Sequence, residues 1–171
     1  MHSALMYRGI PGELVRRLKY NGEKGLAATA AELILRHSVQ LPARGDSLVP
    51  VPTTTGRLKE RGYNQAALIA RSLSRRTGAD YHDLLERDEG PTQVGLTLAE
   101  RRRNVEGVFH LGSGSNLKKI GRVWLIDDVA TTFSTLGSAA GSLLWAGLRP
   151  VTALTLAYRR KGSDSIVPMN S

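Results

Sequence analysis

Residues 122–136 read RVWLIDDVATTFSTL, and this stretch decides the predicted fold. Residues 123–126 form a continuous apolar run, which is typical of a parallel strand covered on both faces. Asp127 and Asp128 follow the run, so they should stand at the carboxyl end of that strand. In open α/β sheets this end faces the ligand crevice, where carboxylates accept hydrogen bonds from hydroxyl groups. The pair therefore predicts a site for a sugar diol.

Hydroxyl-bearing residues follow the two acids and lead into a helical pattern, with apolar residues at Leu136, Ala139 and Leu143. A phosphate at the start of this helix would meet unpaired backbone N–H groups and the positive end of the helix dipole. The residues assigned to this phosphate site are Ala130, Thr131, Thr132, Phe133, Ser134 and Thr135. A diol on the acids and a phosphate on the loop together describe a ribose 5-phosphate. The alternative is a buried strand capped by turn-forming polar residues.

The rest of the chain alternates between helical and strand patterns. Helices are predicted to begin at Pro11 and near Leu26, and another covers residues 66–73. Strand patterns, the last two of them weaker, cover residues 48–52, 151–156, 81–85 and 108–111. This alternation predicts an α/β fold with a mostly parallel sheet flanked by helices.

Composition sets the class of protein. The 171 residues include no cysteine, which excludes disulfides and thiolate chemistry and is compatible with the cytoplasm. Neither a bilayer-spanning apolar run nor a secretory signal pattern is present, so we expect a cytoplasmic protein without membrane insertion. The net charge of +9 favours polyanionic ligands, either nucleic acid or a substrate with several phosphates.

The motif from Asp127 to Thr132 resembles the phosphoribosyl-pyrophosphate (PRPP) motif of type I phosphoribosyltransferases. The resemblance implies that the acids contact the ribose hydroxyls and that the following loop holds the 5-phosphate. Phe133 departs from the pattern, because the family usually has glycine there. Glycine lets the backbone approach a phosphate closely, so Phe133 weakens the implied phosphate cradle.

Three further stretches resemble the ComF family of phosphoribosyltransferase-like proteins. The segment VPVPTTTGRLKERGYNQ, from Val49, matches a proline-valine-proline strand end followed by an Arg-Gly-aromatic-Asn-Gln run. A second set of spaced matches lies near the start of the chain. A third set comprises Gln93, Leu96, Glu100, Arg101, Asn104, Val105, Gly107 and Phe109. Longer ComF relatives begin with a cysteine-rich zinc-binding segment, which this cysteine-free chain lacks.

The length of 171 residues predicts a single domain, and the resemblance implies that it is phosphoribosyltransferase-like. It comprises a helical N-terminal hood region at 1–45, an α/β core at 46–158 and a basic tail at 159–171 that we expect to be flexible. Lys19 and Tyr20 would belong to the hood, which covers the acceptor in relatives. The pyrophosphate loop would comprise Thr53, Thr54, Thr55, Gly56 and Arg57. An ordinary strand-to-helix turn is the alternative.

Residues 87–108 correspond in position to the mobile loop that closes over PRPP. In this loop Arg101 is a candidate pyrophosphate contact, and with Asp127 and Asp128 it completes the predicted catalytic set. Arg61, Asn64 and Gln65 match the family without an assigned role, although Asn64 could cap the next helix.

The implied reaction is displacement of pyrophosphate from the anomeric carbon by a nitrogen nucleophile. Mg²⁺ would be held largely by substrate oxygens and water, so no direct protein ligand is assigned. The sequence identifies neither the acceptor nor the oligomeric state. A homodimer is one of the oligomeric states left open. The second hypothesis is a non-catalytic protein that binds PRPP or single-stranded DNA and acts in competence and DNA uptake, together with other proteins of the competence machinery. Under that hypothesis the basic surplus would contact DNA phosphates.

Overall fold

The computed structural model describes residues 2–88, 108–130 and 133–159, with the side chain of Phe133 left outside. Within these ranges, one sheet contains five strands, all paired in parallel. The strands are β1 (His2–Met6), β2 (Ser47–Pro50), β3 (Asp80–Tyr81), β6 (Val123–Ala130) and β7 (Val151–Tyr158). Their order in space is β1-β7-β6-β2-β3. The predicted mostly parallel α/β sheet is confirmed.

Helices cover the sheet, and a small antiparallel pair stands beside it. The pair consists of β4 (Leu85–Arg87) and β5 (Phe109–Leu111). The helices are α1 (Ile10–Tyr20), α2 (Leu26–His37), α3 (Thr55–Arg61), α4 (Gln65–Thr77) and α5 (Phe133–Trp145), with a short 3₁₀ turn at Leu117–Lys119. None of the helices in the described ranges has the length and apolarity needed to cross a bilayer.

Alternation along β6 gives the sheet its two apolar faces. Trp124 and Ile126 pack with α1, α2 and α4, whereas Val123 and Leu125 pack with α5 and the β4–β5 pair. All four side chains are at most 1% exposed. The continuous apolar run is thus explained by a strand covered on both sides, as the sequence predicted.

The chain reverses its direction across the sheet between β2 and β6. From β2 it passes through α4 to β3 at one edge, and from β6 it passes through α5 to β7 on the other side. The helices α4 and α5 pack on opposite faces. The carboxyl ends of β2 and β6 therefore border the crevice in which open α/β sheets bind their ligands.

Four elements differ from the sequence predictions. The strand predicted at 81–85 is not continuous, because β3 ends at Tyr81 and β4 begins at Leu85. The N-terminal region, expected to be helical, begins with β1, which pairs with β7 at the far end of the chain. The hydroxyl-rich loop ends early, because Thr54 caps α3 and Thr55 already lies in its first turn. Strand β6 continues to Ala130, so both acids lie inside the strand near its carboxyl end.

Candidate functional site

A cavity of about 220 Å³ opens at the carboxyl ends of β2 and β6. Its polar lining includes the acids Asp127 and Asp128, the cations Lys19, Arg57, Arg61 and Arg87, and the uncharged Thr53, Asn64, Gln65 and Thr135. The four cations outnumber the two acids. A ligand that combines negative charge with hydroxyl groups fits this lining better than an apolar one.

The two acids differ in environment because neighbouring side chains of a strand point to opposite faces. Asp127 Oδ1 accepts a hydrogen bond from the backbone N–H of Asp128 at 2.8 Å. Burial, followed by the charge of Asp128, raises the pKa of Asp127 well above its ordinary value.

Helix α1 reaches the site through Lys19. Lys19 Nζ lies 2.9 Å from Asp128 Oδ2, and the Asp128 side chain is only 7% exposed. This ion pair connects the last turn of α1 to the carboxyl end of β6. The sequence had assigned Lys19 to the hood, and the structure places it at the acidic pair.

Only part of the predicted pyrophosphate loop lines the cavity. Thr53 and Arg57 do so, and Arg57 is exposed. Thr54 Oγ1 instead accepts a hydrogen bond from the backbone N–H of Arg57 at 3.3 Å, which caps α3. Thr55 and Gly56 form the exposed first turn of α3, outside the cavity lining.

The predicted phosphate loop is described at its two ends. Ala130 is buried in the apolar cluster under α5, and its carbonyl accepts a hydrogen bond from the Arg159 N–H at 2.9 Å. Thr135 lines the cavity, whereas Ser134 is exposed. The first turn of α5 contains no acid that would repel an anion. Thr131, Thr132 and the Phe133 side chain lie outside the described residues.

The predicted mobile loop is likewise described only where it begins and ends. Arg87 lies in β4 and lines the cavity, and the N–H of Asp88 donates to the Val108 carbonyl at 2.8 Å. This bond holds the two ends of the segment together beside the site. Arg101 lies outside the described residues.

The RGYNQ run, residues 61–65, combines structural and unsatisfied groups. The Tyr63 hydroxyl donates to the Leu18 carbonyl at 2.6 Å. Asn64 caps α4, as the sequence suggested, and also donates to the Val51 carbonyl at 3.0 Å. In contrast, Arg61 Nε and Gln65 Nε2 are buried and have no hydrogen-bond acceptor among the described residues.

Sequence reasoning had left several lining residues without a role. Arg61 and Gln65 carried a signal, since both match the ComF pattern, but nothing in the sequence indicated which atoms would face the cavity. Arg87 carried no signal beyond its place at the start of the predicted loop. Its Nε is also buried without an acceptor in the described part of the chain.

No metal cage forms among the described residues, where no group of three or more His, Cys, Asp or Glu side chains comes together. The carboxylates of Asp127 and Asp128 are hard oxygen donors of the kind that Mg²⁺ prefers. They fit a magnesium ion whose other ligands are substrate oxygens and water.

Comparison with known proteins adds related sequences, although no family model matches the chain. Competence protein F of Haemophilus influenzae is 32% identical over 154 residues, which make up 84% of this chain and 66% of that protein. Competence protein ComFC of Bacillus subtilis is 32% identical over 146 residues, or 85% of this chain and 58% of that protein. These relatives support membership in the ComF family. DNA utilization protein YhgH of Salmonella typhi is 33% identical over 147 residues, covering 81% of this chain and 63% of YhgH. The chain thus spans less than two thirds of the length of these ComF-related proteins.

Proposed function

We propose that the chain binds PRPP at the carboxyl ends of β2 and β6 and transfers its phosphoribosyl group to a nitrogen acceptor with release of pyrophosphate. One observation carries the proposal. The point where the chain reverses across the sheet holds a cavity that combines an acidic pair with four cationic side chains. PRPP presents hydroxyls and phosphates, which require these two kinds of partner.

The acidic pair would orient the ribose. Asp127 and Asp128 offer oxygens to the two ribose hydroxyls, and Lys19 forms an ion pair with Asp128 next to the sugar. Positive charge develops on the ribose ring as the bond to pyrophosphate breaks. Carboxylates beside the ring stabilise that charge, so the reaction requires no covalent nucleophile.

The cations would act on the phosphates. Arg57 and Thr53 lie where β2 leads into α3, and they suit the leaving pyrophosphate. Thr135 and the start of α5 suit the 5-phosphate. Mg²⁺ would be held by the acidic pair together with substrate oxygens, and when bound it would neutralise charge on the departing group.

The direct test is calorimetric titration of the protein with PRPP and Mg²⁺, combined with a pyrophosphate-release assay in which purines, pyrimidines, ammonia and simple amines serve as acceptors. We expect saturable binding that Asp127→Asn weakens and that Asp80→Asn leaves unchanged. Asp80 is an exposed aspartate at the amino end of β3, so it is a matched control. Absence of PRPP binding would reject the proposal, and binding without release under any acceptor would reject the transferase activity.

A second candidate function is binding of single-stranded DNA in competence. Its support is the net charge of +9, together with relatives named competence protein and DNA utilization protein. We propose that in either case the chain acts in DNA uptake with the competence machinery. If the basic surplus contacts DNA phosphates, log affinity for oligo-dT falls linearly and steeply with log salt. Affinity insensitive to salt would reject direct phosphate contact.

A further inference from the structure

Arg61 and Gln65 line the cavity, and each carries a buried N–H donor that the described residues leave without an acceptor. Gln65 is only 4% exposed, so a missing hydrogen bond of its amide is costly. A buried donor without an acceptor is unfavourable, and native proteins contain few of them. The two positions therefore indicate a ligand that supplies acceptor oxygens.

The other two long side chains of the same run do have hydrogen-bond partners. Tyr63 donates to the Leu18 carbonyl at 2.6 Å, and Asn64 both caps α4 and donates to the Val51 carbonyl at 3.0 Å. Tyr63 and Asn64 thus have structural hydrogen bonds, whereas Arg61 Nε and Gln65 Nε2 have no acceptor among the described residues. A purely structural role for the whole run would predict partners for all four side chains.

The position of Arg61 separates it from the predicted 5-phosphate site at the start of α5. Arg61 lies one helical turn beyond Arg57 on the same face of α3. Its guanidinium is 5.1 Å from the ring centroid of the exposed Tyr20, at the end of α1. Because Lys19 precedes that tyrosine and pairs with Asp128, Arg61 belongs to the α1 side of the cavity. Gln65 lines the same cavity from the first residue of α4. The start of α5 contributes a different part of the lining.

We propose that Arg61 and Gln65 form an anion subsite on the α1 side of the cavity, and that the acceptor substrate carries an acidic oxygen group, a carboxylate or phosphate, which this subsite binds. The identification of the ligand as an acceptor rests on the proposed function. The subsite itself requires only the two donors and their position. An arginine fork and an amide N–H together match the oxygens of a carboxylate or phosphate.

The test follows the side-chain N–H resonances of Arg61 and Gln65 by NMR in the full chain saturated with PRPP and Mg²⁺. Inorganic phosphate and acetate are titrated separately, which distinguishes the two oxyanion classes. We expect one of them to shift both resonances with a common dissociation constant, while the resonances of exposed Arg75 and Gln40 stay in place.

Substitution sharpens the test. Gln65→Leu removes the donor while keeping the volume, and we expect it to weaken oxyanion binding about tenfold without lowering the melting temperature, since an unpartnered buried amide is replaced by an apolar group. The exposed counterpart, Gln40→Leu, should leave the affinity unchanged. Equal affinity in the two variants would overturn the subsite.

The remaining outcomes separate this inference from the proposed function. Failure of both anions to shift Arg61 and Gln65, although PRPP binds, would reject the subsite alone. If PRPP fails to bind but phosphate still shifts both resonances, the proposed function falls and the subsite stands. If PRPP itself shifts both resonances and prevents any response to added anion, the subsite serves the pyrophosphate and the acceptor assignment is wrong. Displacement of phosphate by oligo-dT would likewise overturn the acceptor assignment, in favour of DNA.

Discussion

The two ends of the strand pair β2–β6 both carry buried acids. At the amino end, called the closed end below, the acid is paired with its donors, whereas at the carboxyl end, the open end, buried donors lack acceptors among the residues that the structure describes. At the amino end, Asp46 accepts hydrogen bonds from the Ala43 N–H at 3.0 Å, from Trp124 Nε1 at 2.9 Å and from Arg122 Nη2 at 3.0 Å. At the carboxyl end, buried donors of Arg61, Gln65 and Arg87 lack acceptors in the described ranges.

The two ends of the strand pair also differ in how tightly they are packed. At the amino end, Gly121 packs against the residues that precede β2, so that an added Cβ would be 1.9 Å from the Gly45 carbonyl oxygen. The Gly121 N–H also donates to Ser47 Oγ at 3.1 Å. The carboxyl end instead opens into a cavity. An acid at a strand end is therefore structural where its hydrogen-bond partners are complete, and it indicates ligand binding where nearby donors remain unpaired.

The largest expected effect comes from breaking the closed end. Asp46→Ala leaves the buried Trp124 N–H and the Arg122 guanidinium without their acceptor, so we expect a loss of about 3 kcal/mol in the free energy of unfolding. Urea denaturation measures it. The exposed Asp88→Ala should change stability by less than about 0.5 kcal/mol. Similar values for both variants would contradict a structural role for Asp46.

Breaking the open end should affect binding more than folding. Asp128→Asn removes the charge that pairs with Lys19 and weakens ribose recognition, and we expect at least about a tenfold loss of PRPP affinity, or about 1.4 kcal/mol. Calorimetric titration measures it. Undiminished affinity would remove Asp128 from the ribose site.

The two ends should also respond to pH in opposite directions. Burial and the charge of Asp128 raise the pKa of Asp127 above its ordinary 3.8, so its stabilising contribution is present below that value and is lost as pH rises through the raised pKa. Burial disfavours the Asp46 anion, but hydrogen bonds led by that from Arg122 outweigh it and lower the pKa of Asp46. The contribution of Asp46 is present above 3.8 and is lost as pH falls through the lowered pKa.

Unfolding measurements between about pH 3 and pH 8 test these signs. The stability of Asp127→Asn should improve relative to the unsubstituted protein as pH rises. The stability of Asp46→Asn should decrease relative to the unsubstituted protein as pH rises. Parallel curves would mean that the two carboxyls share one environment.

The smallest expected effect concerns Phe133. Glycine at this first residue of α5 lets the backbone approach a phosphate, so Phe133→Gly should tighten PRPP binding about threefold, at a cost in helix stability of up to about 1 kcal/mol. Calorimetry and urea denaturation measure the two quantities. Unchanged affinity would mean that the phenylalanine side chain already avoids the ligand.

Local patterns predicted the parts of this molecule that depend on neighbours in sequence. The apolar run before Asp127 gave a strand buried on both faces, and Asn64 caps α4 as its residue type suggested. Strand β1 was missed because its pairing with β7 joins opposite ends of the chain, which no local period reports. Helix α3 was missed because it has no buried residue and hence no apolar face.

The candidate site divides in the same way. The acidic pair could be placed at the ligand end of the sheet because strand direction follows from the alternation of helices and strands. The contact of Lys19 with Asp128 could not, since it depends on how α1 packs across the sheet. The missing acceptors of Arg61 and Gln65 are visible only once burial is known.

A crystal structure of the protein with PRPP and Mg²⁺ tests the central claim most directly. We predict that the ribose hydroxyls contact Asp127 and Asp128 and that the 5-phosphate lies at the start of α5. Density for PRPP at the closed end around Asp46, or a cavity beside the acidic pair that stays empty at saturating PRPP, would contradict the account.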